Sequence, residues 1–153
     1  MGKVVIKNIS KTCLKEQPLL AVIKKHFKSN KKLEVIFNNK NKDCYGVFET
    51  NALKKVHRIT ISIILHQFEG CDIRKPIDKE YQKYCYISTV LHELRHLQCE
   101  EKMGQKYNNK KYSENIKLNN SHARYYFSPR EIEARIYEHK HILSAIKIYD
   151  END

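Results

Sequence analysis

The chain has 153 residues and a formal net charge of +11, enough length to bury the core of a single domain over residues 1–153. Its polar start, its lack of a long apolar segment and its five cysteines without a C-x-x-C pair predict a reduced, cytoplasmic protein with no membrane partner. A nucleic-acid partner is possible but not favoured, because only six of the 29 basic residues are Arg and the lysines are spread along the chain.

The first half of the chain predicts one helix followed by three strands. Apolar residues recur at helical spacing in 16–30, where Pro18 suits an early helical position. The segments 32–37, 44–50 and 57–65 are β-branched or aromatic runs with alternation, which is typical of strands. The turn-rich sequence between the first two predicts that they form a hairpin.

The second half predicts two longer helices separated by a loop. Residues 76–103 carry apolar positions every three or four residues, and Gly104 can end that helix. Residues 104–127 are polar and aperiodic, which indicates a long loop. A last helix over 128–149 begins with Ser, Pro and acidic residues. The expected fold class is therefore α+β.

The stretch TVLHELRHLQC, residues 89–99, contains an H-E-x-x-H motif made by His92, Glu93 and His96. A separation of four residues places both imidazoles on one face of a helix, within reach of one ion. Zn²⁺ binds neutral imidazole, and the neighbouring Glu93 can act as general base on a metal-activated water. The alternative is a polar helix face with idle histidines, but the helix carries a broad apolar arc that buries much of its circumference.

A third ligand must come from outside this helix, because Cys99 and Lys102 break the extended pattern that supplies a third histidine. The best source is SPREIEAR, where Glu131 lies on a face with small and apolar residues, whereas Glu133 lies on a more polar one. Glu131 is therefore the preferred ligand, and Glu133 is a second-shell neighbour or alternative ligand. Both carboxylates could instead only complement the positive helix N-terminus.

Together, TVLHELRHLQ and the downstream SPREIEAR resemble the gluzincin metallopeptidases, most of all the small ImmA/IrrE-type and phage-associated enzymes. The resemblance spans about residues 44–149 and implies a zincin-like fold with an N-terminal helix, a short three-stranded sheet, an active-site helix, a long loop and a C-terminal helix. It also implies His92, His96 and Glu131 as zinc ligands and Glu93 as catalytic base. The chain departs from these relatives at Arg135, where they often have Asn or Asp.

The expected function is that of a cytosolic zinc metalloendopeptidase that hydrolyses a specific protein substrate, for example a regulator carried on the same phage or mobile element. His122, Tyr125 and Tyr126 precede Glu131 and are candidates for stabilising the oxyanion or contacting substrate. A peptide substrate would lie extended along a sheet edge, for which CYGVFET is a candidate. The alternative is a non-catalytic zinc-binding module that associates with nucleic acid through a Lys-rich surface.

Overall fold

The computed structural model describes residues 2–153, and within them six α-helices and a four-stranded mixed sheet form an α+β fold. The strands are β1 Val4–Lys7, β2 Lys32–Asn38, β3 Gly46–Asn51 and β4 Val56–Ser62. The helices are α1 Glu16–His26, α2 Ile63–Gln67, α3 Lys79–Met103, α4 Lys110–Ser113, α5 Ser121–Tyr126 and α6 Pro129–Glu151. No helix among these residues is both long and apolar enough to span a bilayer.

The sheet has the strand order β1-β2-β4-β3, so the prediction of three strands is wrong by one. Its unpredicted member, β1, has only four residues, a length at which alternation gives little signal. Helix α1 connects β1 to β2 in the chain, and these two strands pair in parallel. Strand β2 also pairs in parallel with β4. Because β1 and β4 occupy both sides of β2, the predicted hairpin between the first two runs does not form.

The hairpin in this sheet joins β3 to β4 instead, in antiparallel register. Its turn contains no Gly or Pro; Lys55 adopts a positive φ of 50°, and the Asn51 side chain accepts a hydrogen bond from the backbone N–H of Lys54 at 3.0 Å. The predicted third strand, 57–65, is also shorter than expected because Ser62 caps the N-terminus of α2. Strand β3 is the last strand in the order of the sheet, so it lies at an edge.

The two long helices begin and end where side chains satisfy their free backbone groups. Asp78 accepts hydrogen bonds from the first turn of α3, and Gly104 ends that helix with a φ of 62°. Ser128 caps α6 and Pro129 occupies its first position, as the sequence predicts. Helix α6 packs along α3 and against α1.

Between α3 and α6 the predicted loop contains more helical structure than its polar sequence suggests. A 3-10 turn at Gly104–Asn108 leads to α4, and α5 follows after an irregular segment. These pieces are too short to show a 3.6-residue apolar period, which explains why the sequence predicts only a loop. The 3-10 turn buries Tyr107 against α3, so this connection forms part of the packed structure.

The hydrophobic core lies between the sheet and the helices α1, α3 and α6. Alternate residues of β2 and β4 face it, including Val35, Phe37 and Ile61, whereas Glu34 and Arg58 pair on the opposite face. Helix α3 is covered on most sides, with Leu91 and other apolar residues fully buried. The H-E-x-x-H segment is therefore held between the sheet and α6.

Candidate metal centre

His92, His96 and Glu131 converge where α3 and α6 pack together. Nε2 of His92 lies 3.0 Å from one carboxylate oxygen of Glu131, and Nε2 of His96 lies 3.0 Å from the other. The two Nε2 atoms are 3.1 Å apart. His96 and Glu131 are buried, and His92 is only partly exposed. The two ring nitrogens and the carboxylate thus form a compact cluster in a largely buried position.

This donor set fits zinc in both chemistry and spacing. Two imidazoles and one carboxylate are the protein ligands of many catalytic zinc sites, which keep a further position open. Donors about 2.0 to 2.1 Å from a tetrahedral ion are about 3.3 Å from one another. Each Nε2 lies 3.0 Å from a different oxygen of Glu131, and the two Nε2 atoms are 3.1 Å apart, so small side-chain adjustments would be enough to accept such an ion.

The other ring nitrogen of each histidine already has a partner. Nδ1 of His92 lies 3.0 Å from a carboxylate oxygen of Glu138, and Glu138 also accepts a hydrogen bond from Ser88. Nδ1 of His96 lies 2.6 Å from the hydroxyl of the buried Tyr107. Metal binding would require the tautomer in which each Nδ1 carries its proton toward this outer partner and each Nε2 is unprotonated.

Charges within the cluster shift its pKa values in opposite directions. Burial disfavours the charged imidazole, but the carboxylates of Glu131 and Glu138 raise the pKa of His92 to about 10. Burial would raise the pKa of Glu131, yet hydrogen bonds from His92 and His96 hold it well below its ordinary value. Glu131 is therefore held as a carboxylate, and in the metal-free protein the protonated His92 is the positive charge beside it.

Glu93 follows His92 on α3 and is only 5% exposed, and strand β3 passes close to its side chain. At Gly46 an added Cβ would lie 2.9 Å from Cγ and Oε1 of Glu93 and 2.7 Å from Cγ2 of Thr89. Only glycine allows this approach. Burial is the main reason that the pKa of Glu93 is raised to about 7, a value suited to a general base near neutral pH.

The remaining predicted site residues lie at different distances from the cluster. Glu133 is directed away from the two imidazoles and forms an ion pair with Arg95, so only Glu131 of this pair contacts them. Tyr126 lines a cavity next to His92, whereas His122 stacks on Tyr126 and lines none of the cavities found around the site. Tyr125 lines the cavities on both sides of Glu93.

Two cavities of about 410 and 520 Å³ meet at Glu93. The first follows β3 and includes His96, while the second includes His92 and Glu131. Tyr125 stands between them with its side chain 49% exposed. Burial, together with the nearby charge of Glu131, raises the pKa of Tyr125, so its hydroxyl keeps its proton and can donate a hydrogen bond.

Three contributors to the site are missing from the sequence-based prediction: Glu138, Tyr107 and Gly46. Glu138 lies on the same helical face as Glu131, and this spacing is a signal that could have indicated its position. Tyr107 comes from a segment read as a loop, and no local pattern connects it with His96. Arg135, where the resemblance departs from its relatives, stacks on Tyr126, with its guanidinium carbon 3.8 Å from the ring centroid.

Comparison of the chain with protein-family models, curated proteins and solved structures finds no match. The case for a function therefore depends on the chemistry of the cluster. A buried carboxylate of raised pKa beside two oriented imidazoles and a second carboxylate could bind a divalent cation and move a proton. An open cleft along an edge strand is suited to an extended polypeptide.

Proposed function

We propose that the chain is a zinc-dependent metalloendopeptidase of the gluzincin type, with a zincin-like fold. The observation that carries this proposal is the convergence of His92, His96 and Glu131 within 3.1 Å, with each Nδ1 occupied by an outer partner. An accidental cluster would not be expected to orient both imidazoles. The buried Glu93 beside these groups adds the residue that distinguishes a hydrolytic centre from a structural one.

In this proposal Nε2 of His92, Nε2 of His96 and the carboxylate of Glu131 would hold the ion. When bound, zinc would supply Lewis-acid activation of water and polarisation of the substrate carbonyl. Glu93 would accept a proton from the attacking water and later deliver it to the leaving amine. In the metal-free protein, burial raises the pKa of Glu93 to about 7, and a cation bound beside it would lower that pKa and favour the carboxylate that accepts the proton.

The developing oxyanion needs a hydrogen-bond donor besides the ion. Tyr125 is the best candidate, because it lines both cavities that contain Glu93 and its hydroxyl is a hydrogen-bond donor at neutral pH. Tyr126 would contact substrate in the cavity beside His92. His122 would act only indirectly, through its stacking on Tyr126.

Strand β3 would bind the peptide backbone. It pairs only with β4, so the backbone groups along its other edge are free to form a ladder with an extended substrate. The cavity of about 410 Å³ follows this strand from Cys44 to Thr50 and ends at Glu93. A peptide added to β3 would therefore pass directly beside the proposed base.

The proposal is tested by measuring metal content and peptide hydrolysis on the same preparations. We expect about one zinc per chain in the parent protein, and loss of zinc in both His96→Ala and Glu131→Ala. Glu133→Ala is the matched control, because it removes a carboxylate of α6 that does not contact the imidazoles. Glu93→Gln should keep the ion and lose hydrolysis. A Glu93→Gln variant as active as the parent would refute the enzymatic assignment.

A further inference from the structure

An unusual concentration of exposed tyrosines surrounds the cavity beside His92. Four of the five exposed aromatic side chains in residues 2–153 line this one cavity of about 520 Å³. They are Tyr45, Tyr81, Tyr125 and Tyr126, with exposures between 44% and 59%. Exposed aromatic side chains that gather around one concave surface are typical of a binding site, since water contact with each ring is unfavourable.

Apolar residues other than the exposed tyrosines also line this cavity. Leu65, Ile77 and Cys85 line it, and Tyr84 stacks in parallel on Tyr81 with 6.1 Å between the ring centroids. Three of the charged residues that line the cavity already have partners: Glu138 contacts Ser88 and His92, Glu131 contacts the two imidazoles, and Arg135 stacks on Tyr126. The fourth, Glu93, is the proposed base and is 5% exposed. A guest in this cavity would therefore meet mainly aromatic and aliphatic surface.

The cavity on the other side of Glu93 has a different chemical character. Glu49, Glu100 and Arg130 line it, together with polar groups of β3. Nε of Arg130 is buried without a hydrogen-bond partner, and its guanidinium lies over Phe48, 5.8 Å from the ring centroid. The cleft is therefore asymmetric, with an apolar cavity beside His92 and a polar one beside His96.

We propose that the tyrosine-lined cavity is a specificity pocket for a large apolar side chain, preferably aromatic, on one side of the scissile bond only. This inference rests on the proposed peptidase function and specifies its class of substrate. The pocket adjoins His92, Glu93 and Glu131, so its occupant belongs to the residue next to the bond that is cleaved. The polar cavity supplies no equivalent site for an apolar side chain on the opposite side.

The test uses zinc-loaded protein and three small probes that chelate zinc: acetohydroxamate, and two succinyl hydroxamates that carry either a benzyl or a carboxymethyl substituent. Their affinities are measured by titration calorimetry. We expect the benzyl compound to bind at least about tenfold more tightly than the carboxymethyl compound, because only the former fills an apolar pocket. In a peptide library, aromatic residues should be selected at one position next to the cleaved bond and not at the other.

Two variants and a control assign this preference to the pocket. Tyr81→Ala and Tyr45→Ala should each lower the benzyl-to-carboxymethyl affinity ratio about three- to tenfold, while leaving acetohydroxamate binding unchanged. Leu143→Ala removes a side chain that is 76% exposed on α6 outside the cavity, and it should leave the ratio as in the parent.

The possible outcomes separate this inference from the function on which it rests. If zinc-loaded protein binds acetohydroxamate but does not distinguish the two substituted probes, the pocket assignment is wrong and the metal centre stands. If none of the three probes binds, the proposed metal centre fails and the pocket assignment fails with it. Aromatic selection on both sides of the cleaved bond would also overturn the one-sided pocket.

Discussion

The carboxylate of Glu138 on α6 lies 3.0 Å from Nδ1 of His92 on α3, seven residues beyond Glu131 on the same helix. Glu131 and Glu138 are two helical turns apart on α6. Glu131 contacts Nε2 and Glu138 contacts Nδ1 of the same imidazole. A carboxylate at the outer nitrogen fixes the ring orientation and makes Nε2 more basic. This relationship leads to the first of four predictions.

Replacement of Glu138 by Gln should weaken zinc binding about 10- to 100-fold, because an amide is a poorer acceptor for the Nδ1 proton and carries no charge. Competition with a fluorescent chelator measures the affinity. Glu133→Gln is the matched control, since it neutralises a carboxylate of the same helix that pairs with Arg95. Equal zinc affinity in the two variants would contradict the role assigned to Glu138.

Tyr107→Phe should affect His96 in a similar way while preserving the buried ring. Loss of the hydroxyl leaves Nδ1 of His96 without its partner at 2.6 Å in a site from which water is excluded. We expect the free energy of unfolding to fall by about 1 to 3 kcal/mol and zinc affinity to fall about tenfold. Chemical denaturation and chelator competition measure these two effects, and Tyr112→Phe at a less buried position should change neither.

Gly46→Ala should impair hydrolysis without removing the metal. The added Cβ would lie 2.7 Å from Thr89 and 2.9 Å from Glu93, and neither residue is a proposed ligand. Relief of this overlap must move the base or β3, at a cost of about 1 to 3 kcal/mol. Steady-state kinetics and metal analysis on the same sample test this expectation. Leu53→Ala, in the turn between β3 and β4 at a side chain that is 97% exposed, should keep parental activity. An equally active Gly46→Ala would show that the close approach is not needed.

The fourth prediction concerns the stability of the metal-free protein. The folded state raises the pKa of Glu93 from 4.5 to about 7, so between these values it binds more protons than the unfolded state. Stability is therefore lost as pH rises through this window, by about 3 kcal/mol when the window is crossed completely. The amide in Glu93→Gln does not ionise, so this variant has no buried charge at this position. It should unfold at a higher temperature than the parent at pH 8.

Thermal unfolding in the presence of a chelator, at pH 4 and pH 8, measures this effect. The advantage of Glu93→Gln should shrink toward pH 4, where the parent carboxyl is protonated in both states. Glu133→Gln, which removes a carboxylate from an ion pair with Arg95, controls for the loss of a negative charge. A Glu93→Gln variant that is less stable than the parent at pH 8 would contradict a buried, unfavourably charged Glu93.

Local sequence determined those parts of the fold whose signals lie within one element. Spacing of four residues puts His92 and His96 on one helical face, and Ser128 with Pro129 starts α6 where expected. Gly104 ends α3 because its φ of 62° is accessible to glycine without steric cost. Helical phase also favoured Glu131 over Glu133, and the structure directs Glu131 toward the imidazoles.

Tertiary packing decided the features that join distant segments. No local pattern specifies that β2 pairs with β1 and β4 and leaves β3 at the edge, since pairing depends on which strands can bury their apolar faces together. No local pattern specifies the contact of Tyr107 with His96 or the close approach of Gly46 to Glu93 either. These contacts form only when the 3-10 turn after α3 and strand β3 pack against that helix. The sequence by itself determined which side chains could serve as ligands and base; packing of α6 and β3 onto α3 decided how they are oriented, because hydrogen bonds and close contacts require atoms brought together from separate elements.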